Sequence, residues 1–105
     1  MKEKTVLELK QMLDAKEDFQ LIDVREQYEF DICNLNAELI PMNEVPNHID
    51  KISRDKTVVV YCRSGARSGR IIEFLEETHG FDNLYNLKGG ILAWADEVDT
   101  SMAKY

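Results

Sequence analysis

The sequence predicts an α/β domain built on a central, mainly parallel β-sheet. Short runs of β-branched and other apolar residues alternate with segments whose apolar residues recur at helical spacing. Strands that alternate with helices usually pair in parallel, because each helix carries the chain back to the edge where the next strand starts. A cysteine ends the most apolar run, at the edge where parallel sheets bind their ligands. These observations predict both the fold class and the position of its site.

The first part of the chain predicts a helix, a strand and a short helical segment. Thr5 and Glu8 form a capping-box pattern, and the apolar residues that follow predict a helix over residues 6–15. An apolar run that ends in charged residues predicts a buried strand over residues 19–24. One or two helical turns are expected over residues 27–32.

The middle of the chain predicts two strands on either side of a second short helix. Residues 39–40, just before Pro41, predict a brief strand. Residues 45–52 carry apolar side chains on one face and predict a helix with Pro46 in its first turn. The β-branched run over residues 57–61 predicts the central strand.

The last part of the chain predicts two helices and a strand. Apolar residues at helical spacing predict a helix over residues 68–79, and Gly80 is expected to end it. A strand is expected over residues 84–87, and the glycine pair 89–90 is expected to turn the chain. The final helix is predicted over residues 91–98.

The loop after the central strand holds the residues with the clearest chemistry. Cys62 occupies its first position, and Arg63 and Arg67 follow within five residues. Backbone N–H groups converge in such a loop, and the positive end of the next helix dipole points to the same place. These groups favour a thiolate, which is the reactive form of cysteine. A buried structural cysteine would need neither the arginines nor the loop, so the pattern predicts a reactive role for Cys62.

Residues 61–68, Tyr-Cys-Arg-Ser-Gly-Ala-Arg-Ser, resemble the active-site loop of the rhodanese family of sulfurtransferases. Residues 21–26 (Leu-Ile-Asp-Val-Arg-Glu) and 86–94 (Asn-Leu-Lys-Gly-Gly-Ile-Leu-Ala-Trp) resemble two further signatures of that family, in the right order and spacing. Residues 31–35 and 94–105 are similar to the rhodanese domain of sulfur-carrier adenylyltransferases of the molybdopterin and thiamine type. The resemblance covers nearly the whole chain and implies one rhodanese-like domain.

The resemblance implies a sulfurtransferase whose nucleophile is Cys62. Its thiolate would take the outer sulfur of a donor such as thiosulfate, hold it as a persulfide, and pass it to a thiophilic acceptor such as cyanide. Neither a metal nor an organic cofactor is implied. Asp23 and Arg25 match family positions beneath the loop, where a supporting ion pair is favoured over direct catalysis. The residues expected to bind the anionic donor are Arg63, Ser64, Gly65, Ala66, Arg67 and Ser68.

Two other functions stay open. In phosphatases and arsenate reductases of the related fold, an arginine lies six residues after the nucleophile. Here Arg67 lies five residues after Cys62, and Ser68 takes the sixth position. The shorter loop forms a smaller cradle, which favours sulfur over a tetrahedral oxyanion. The second alternative is a non-catalytic rhodanese-like binding or regulatory module, although such modules usually lack the cysteine.

Four other residues have weaker claims. Much of the family carries Gly-His where this chain has Cys33 and the residue after it, so the chain departs from the common pattern there. Cys33 could be a resolving thiol that receives sulfur from Cys62, but a packed cysteine is favoured. Trp94 fits a core position or the wall of a groove. His48 and His79 are expected on helix surfaces. With two cysteines and two histidines at unrelated places, the chain lacks a ligand set for zinc.

Length and charge limit the domain count and the partners. The 105 residues are expected to form one domain over residues 1–105. Whether this domain acts alone or is a fragment of a larger enzyme is left open. The net charge of −7 argues against a nucleic acid or an anionic membrane as partner. Two cysteines without an apolar signal segment favour a reduced, cytoplasmic setting. Besides a small anionic sulfur donor, the expected partners are a cysteine desulfurase, a thioredoxin-like protein or a sulfur-carrier protein.

Overall fold

Five parallel β-strands form one sheet at the centre of the molecule, which confirms the predicted α/β class. The structure is a computed structural model that describes residues 1–105. The strands are β1 (Glu3–Lys4), β2 (Gln20–Asp23), β3 (Glu38–Leu39), β4 (Val58–Tyr61) and β5 (Leu84–Leu87). Their order across the sheet is β1-β5-β4-β2-β3, and every pair is parallel. The predicted central strand, β4, therefore lies between β2 and β5.

Four α-helices flank the sheet: α1 (Val6–Asp14), α2 (Gln27–Ile32), α3 (Ala66–His79) and α4 (Gly90–Glu97). The predicted capping box at α1 is present, because the N–H of Glu8 donates to the Thr5 hydroxyl and the N–H of Thr5 donates to the Glu8 carboxylate. Gly80 ends α3 in the left-handed conformation, as expected. None of the helices combines the length and the apolar character that a membrane span requires.

The side chains of β4 alternate between two hydrophobic cores, one on each face of the sheet. Val58, Val60 and Cys62 pack with the core that includes the apolar face of α3. Val59 and Tyr61 pack with the core that includes α1 and α4. Because all four residues of β4 are buried, the strand fixes the position of the residue that follows it. Cys62 is that residue, at the carboxyl edge of the sheet.

The predicted helix over residues 45–52 is wrong in type. The structure has two 3₁₀ segments there, Met42–Asn47 and Ile49–Lys51. Pro46 falls well inside the first segment, where it cannot donate an α-helical hydrogen bond and its ring would clash with a carbonyl one turn earlier. The predicted apolar face is nevertheless correct, since Val45 and Ile52 are buried.

Two further differences concern element boundaries. Strand β1 has only two residues, Glu3 and Lys4, and their charge gave no sign of a strand. Helix α3 begins at Ala66 rather than at residue 68. The N-terminus of α3 therefore lies closer to Cys62 in the chain than predicted, which strengthens its effect on the sulfur.

Candidate active site

Cys62 lies where β4 ends, with its Sγ at the N-terminus of α3. The N–H of Gly65 donates to Sγ at 3.1 Å, and the N–H of Ser68 donates to it at 3.4 Å. The Ser68 hydroxyl also lies 3.4 Å from Sγ. The predicted convergence of backbone amides on Cys62 is therefore observed. The residue is only 1% exposed, so the sulfur is nearly removed from bulk water.

The surroundings of Cys62 favour the thiolate. Burial acts to raise the pKa of the thiol, because a charged sulfur loses solvation. Hydrogen bonds from the hydroxyl and N–H of Ser68 and from the N–H groups of Gly65 and Ser64 act in the opposite direction and outweigh burial. The net result is a pKa below the ordinary value of a cysteine, as a reactive thiol requires.

The loop is held in shape by two glycines and by the start of α4. Gly65 adopts φ +106°, which a residue with a Cβ rarely accepts, and it is the N-cap of α3. The N–H groups of Ile91 and Leu92 donate to the carbonyls of Cys62 and Arg63 at 3.0 and 3.1 Å. A Cβ on Gly90 would lie 2.4 Å from the Arg63 carbonyl oxygen, so only glycine permits this close approach.

Asn86 on β5 is a site residue that sequence reasoning missed. Its Oδ1 accepts a hydrogen bond from the Ser68 hydroxyl at 2.6 Å, and its Nδ2 donates to the Gly65 carbonyl at 3.0 Å. The side chain thus ties two loop residues to the neighbouring strand. A polar residue inside the otherwise apolar residues 84–87 was the available signal.

Arg67, which was expected to offer its charge to the Cys62 loop and the anionic donor, is not a free positive charge. Its two terminal nitrogens donate to the two carboxylate oxygens of Glu29 at 2.7 and 2.8 Å. Glu29 lies on α2 and is 2% exposed. The hydrogen bonds from Arg67 lower the pKa of Glu29 to about 2, so the carboxylate stays ionised at neutral pH. Sequence reasoning missed this pair because Glu29 looked like one of many surface acids.

Arg63 is engaged by Tyr105. Its Nε and Nη2 donate to the Tyr105 carbonyl oxygen, and its guanidinium group lies 5.1 Å from the centre of the Tyr105 ring. The Tyr105 hydroxyl also donates to Glu29 at 2.7 Å. Tyr105 therefore contacts Arg63 directly and reaches Arg67 only through Glu29, and the sequence gave no sign of these contacts.

Asp23 and Arg25 form the ion pair that was expected of them, and it is completely buried. Arg25 donates from Nη2 to Asp23 at 2.7 Å and to the carbonyl oxygen of Cys33 at 2.7 Å. Its Nη1 donates to the Glu29 carbonyl and to the Tyr105 hydroxyl. With its charge paired and its donors used, Arg25 holds α2 and Tyr105 against the end of β2.

Of the other predicted loop residues, Ser64 acts on the sulfur through its N–H group. The side chains of Ser64 and Ala66 are exposed, and no hydrogen bond from the Ser64 hydroxyl reaches Cys62. Of the two loop hydroxyls, only that of Ser68 contacts the sulfur. Ala66 is the first residue of α3.

The remaining candidates lie away from the Cys62 loop. Cys33 is a free, half-buried thiol packed against the core beside α1 and α4, as the favoured interpretation predicts. Trp94 is buried in that core and also forms part of the wall of an open cleft of about 630 Å³. His48 lies between the two 3₁₀ segments and His79 packs against Phe74, so both are half-buried rather than fully on the surface. No group of three histidine, cysteine or acidic side chains is placed to hold a metal ion.

Comparison with known proteins agrees with this geometry. A Rhodanese-like domain family model matches residues 5–97. The chain is 40% identical over 88 residues to a sulfurtransferase of Allochromatium vinosum, covering 83% of this chain and 81% of that protein. A crystal structure of a rhodanese-like domain protein from Staphylococcus aureus is 35% identical, with a TM-score of 0.83 and coverage of 93% of this chain and 95% of that one.

One relative bears on the more specific resemblance. The chain is 36% identical over 104 residues to the probable adenylyltransferase/sulfurtransferase MoeZ of Mycobacterium tuberculosis. The match covers 96% of this chain but only 26% of MoeZ, so the chain spans about a quarter of that relative. The predicted similarity to the sulfurtransferase part of such enzymes is confirmed. With a family match over residues 5–97 and a cysteine loop of this form, the chain belongs to the rhodanese-like domain family.

Proposed function

We propose that this chain is a sulfurtransferase that carries sulfane sulfur as a persulfide on Cys62. The observation that carries the proposal is the position of Sγ, which accepts hydrogen bonds from Gly65 and Ser68 at the N-terminus of α3. Donors aimed at one sulfur atom favour a negative charge there before and after it accepts a second sulfur. The relatives named as sulfurtransferases give independent support.

The proposed reaction has two displacement steps. The Cys62 thiolate attacks the outer sulfur of the donor, the donor's S–S bond breaks, and the former partner leaves with the electron pair; thiosulfate would release sulfite. The persulfide anion that forms on Cys62 lies near the same backbone amides as the thiolate did. A thiophilic acceptor, such as cyanide in an assay, then attacks the terminal sulfur and the thiolate returns.

The partners and the setting are part of the proposal. Thiosulfate and a protein persulfide, such as that of a cysteine desulfurase, are the two donor types. A thioredoxin-like protein or a sulfur-carrier protein would accept the sulfur in a reduced, cytoplasmic setting. The domain over residues 1–105 would act by itself or as part of a longer enzyme of the MoeZ kind.

Two geometric features favour sulfur transfer over the phosphatase alternative. The sixth position after Cys62 belongs to Ser68, whose N–H and hydroxyl both lie 3.4 Å from Sγ. Arg67 is paired with Glu29 instead of being free to bind an oxyanion. The non-catalytic alternative is less well supported, because the lowered pKa of Cys62 would serve no purpose in a binding module.

Intact-protein mass spectrometry tests the persulfide directly. Incubation with a sulfane-sulfur donor and no acceptor should add the mass of one sulfur atom, and cyanide should remove it and release thiocyanate. Cys62→Ser should abolish both events, because a serine hydroxyl at neutral pH is a far weaker nucleophile toward sulfur.

Cys33→Ser is the matched control, since Cys33 is the other free thiol of the chain. It should keep the added mass and lose less than about half of the turnover, because its side chain packs in a core and not in the Cys62 loop. Added sulfur that maps to Cys33, or that persists in the Cys62→Ser protein, would contradict the assignment. Thiocyanate production without any mass shift would exclude the two-step route.

A further inference from the structure

The charges around Cys62 are already largely compensated within the chain. Both oxygens of Glu29 are bonded to Arg67, and Glu29 is almost inaccessible to solvent. Asp23 pairs in the same way with the completely buried Arg25. Of the arginines near the site, Arg25 and Arg67 therefore already have carboxylate partners when an anionic substrate arrives.

A charge count over the loop and the side chains bonded to it leaves one positive charge. The guanidinium groups are those of Arg25, Arg63 and Arg67, and the carboxylates are those of Asp23 and Glu29. Among side chains alone, three positive and two negative groups give a surplus of one, which a single thiolate or persulfide anion on Cys62 balances. Arg63 is the one cation of this set without a carboxylate side chain as partner, because its guanidinium donates to the main-chain oxygen of Tyr105.

The two classes of sulfur donor differ in the charge that they bring. Thiosulfate is a dianion, so with the Cys62 thiolate it brings three negative charges to a site that balances one. A persulfide in its protonated form, R–S–SH, adds none at its reacting end. Charge that is held near a buried group without a partner is far more costly than the same charge in water.

We propose that Glu29 makes Cys62 selective for organic persulfides over thiosulfate, by pairing with Arg67 and removing the second positive charge that a dianionic donor would need. The proposal rests on the function proposed above. The Cys62 thiolate attacks the terminal sulfur of R–S–SH, the S–S bond of the donor breaks, and R–S⁻ leaves with its electrons. The proton then passes from the new Cys62 persulfide to R–S⁻, so one negative charge is present throughout and no oxidant or reductant is consumed.

The test compares the rates at which two donors load Cys62 with sulfur, measured by intact mass at equal pH and ionic strength. The donors are cysteine persulfide and thiosulfate, and each rate is divided by that of the same donor with free cysteine. This division removes the intrinsic reactivity of the donor. For the unaltered protein we expect the normalised thiosulfate rate to be at least about tenfold lower than the persulfide rate. A higher normalised rate for thiosulfate would overturn the proposal without any variant.

Glu29→Gln keeps the shape of the side chain and removes its charge. It should raise the thiosulfate rate and increase the thiosulfate-to-persulfide ratio about tenfold, because Arg67 then offers an unpaired charge. Glu77→Gln, at an exposed position far along α3, is the control for net charge and should change the ratio less than about twofold. Circular dichroism checks that each variant is folded.

The outcomes separate this proposal from the function on which it rests. If Glu29→Gln lowers loading from both donors equally, Glu29 only positions Arg67 and the selectivity proposal is wrong. An unchanged ratio in this variant would also reject it. If neither donor loads Cys62 in the unaltered protein, the proposed sulfurtransferase function itself fails.

Discussion

The Ser68 hydroxyl has a single hydrogen and two acceptors within reach. Asn86 Oδ1 lies 2.6 Å away, and Cys62 Sγ lies 3.4 Å away. The shorter distance favours Asn86 while Cys62 is a neutral thiol, and a thiolate would draw the hydrogen toward sulfur because charged acceptors bind more strongly. Ser68 therefore responds to the charge of Cys62, whereas the amides of the loop are fixed in place.

Ser68→Ala tests how much the hydroxyl contributes to thiolate formation. The pKa of Cys62 should rise, and alkylation by iodoacetamide at neutral pH should slow about fivefold, since one hydrogen bond contributes about 1 kcal/mol net. The N–H of Ser68 is retained, so the effect should stay well short of complete loss.

Ser64→Ala is the matched control, because its exposed hydroxyl makes no hydrogen bond to the sulfur. Its alkylation rate should remain within about twofold of the unaltered protein. Equal rates for the two variants would show that backbone amides alone lower the pKa of Cys62.

At the scale of elements, the N-terminus of α4 clamps the loop that follows β4. The N–H groups of Ile91 and Leu92 bind the carbonyls of Cys62 and Arg63. This requires Gly90 to pass so close to Arg63 that any Cβ would overlap its carbonyl. The second glycine of the predicted turn is thus a packing requirement of the site as well as a requirement of the turn.

Gly90→Ala should therefore lower the free energy of unfolding by more than the loss of a left-handed glycine alone would. Gly80 is the matched control: its φ of +67° resembles the +62° of Gly90, yet nothing lies within 4 Å of its added Cβ. In urea unfolding we expect Gly80→Ala to lose about 1–2 kcal/mol and Gly90→Ala about 3 kcal/mol or more. Equal losses would mean that α4 shifts freely and does not clamp the loop.

Local patterns predicted most of the elements, and long-range contacts account for what they missed. The β-branched run of β4, the apolar spacing of α3 and the capping box of α1 are properties of adjacent residues, so they were visible in the sequence. The 3₁₀ geometry around Pro46 was not visible, because it depends on where the segment begins.

At the scale of the whole molecule, the site too divides into parts set by local sequence and parts set by long-range contacts. Cys62 and its amides form one continuous loop, and the sequence predicted their convergence. Glu29, Asn86 and Tyr105 come from three other parts of the chain, and no local pattern indicates that they meet the loop. The expectation that Arg63 and Arg67 both face an anionic donor took account of the loop alone and not of these distant partners.

Glu29 also ties together separate parts of the molecule. It lies on α2, accepts hydrogen bonds from Arg67 on α3, and accepts another from the hydroxyl of Tyr105. These contacts lower its pKa from 4.5 to about 2. A carboxyl group whose pKa is lowered by folding stabilises the folded state fully above its unfolded pKa, and this contribution is lost as the pH falls toward the folded pKa.

The stability contributed by the Glu29–Arg67 pair should therefore disappear between about pH 4.5 and pH 2. A double-mutant cycle of Glu29→Gln and Arg67→Gln, followed by urea unfolding, isolates the coupling free energy of the pair. At neutral pH we expect a coupling of about 2–3 kcal/mol, below the value that a fully buried pair would give because the Arg67 side chain is 31% exposed. The coupling should be nearly unchanged from pH 7 to pH 5 and small at pH 2, where the unfolded Glu29 is protonated and the folded Glu29 is about half protonated. A coupling that persists at pH 2 would show that the two side chains are held together by packing and neutral hydrogen bonds rather than by charge.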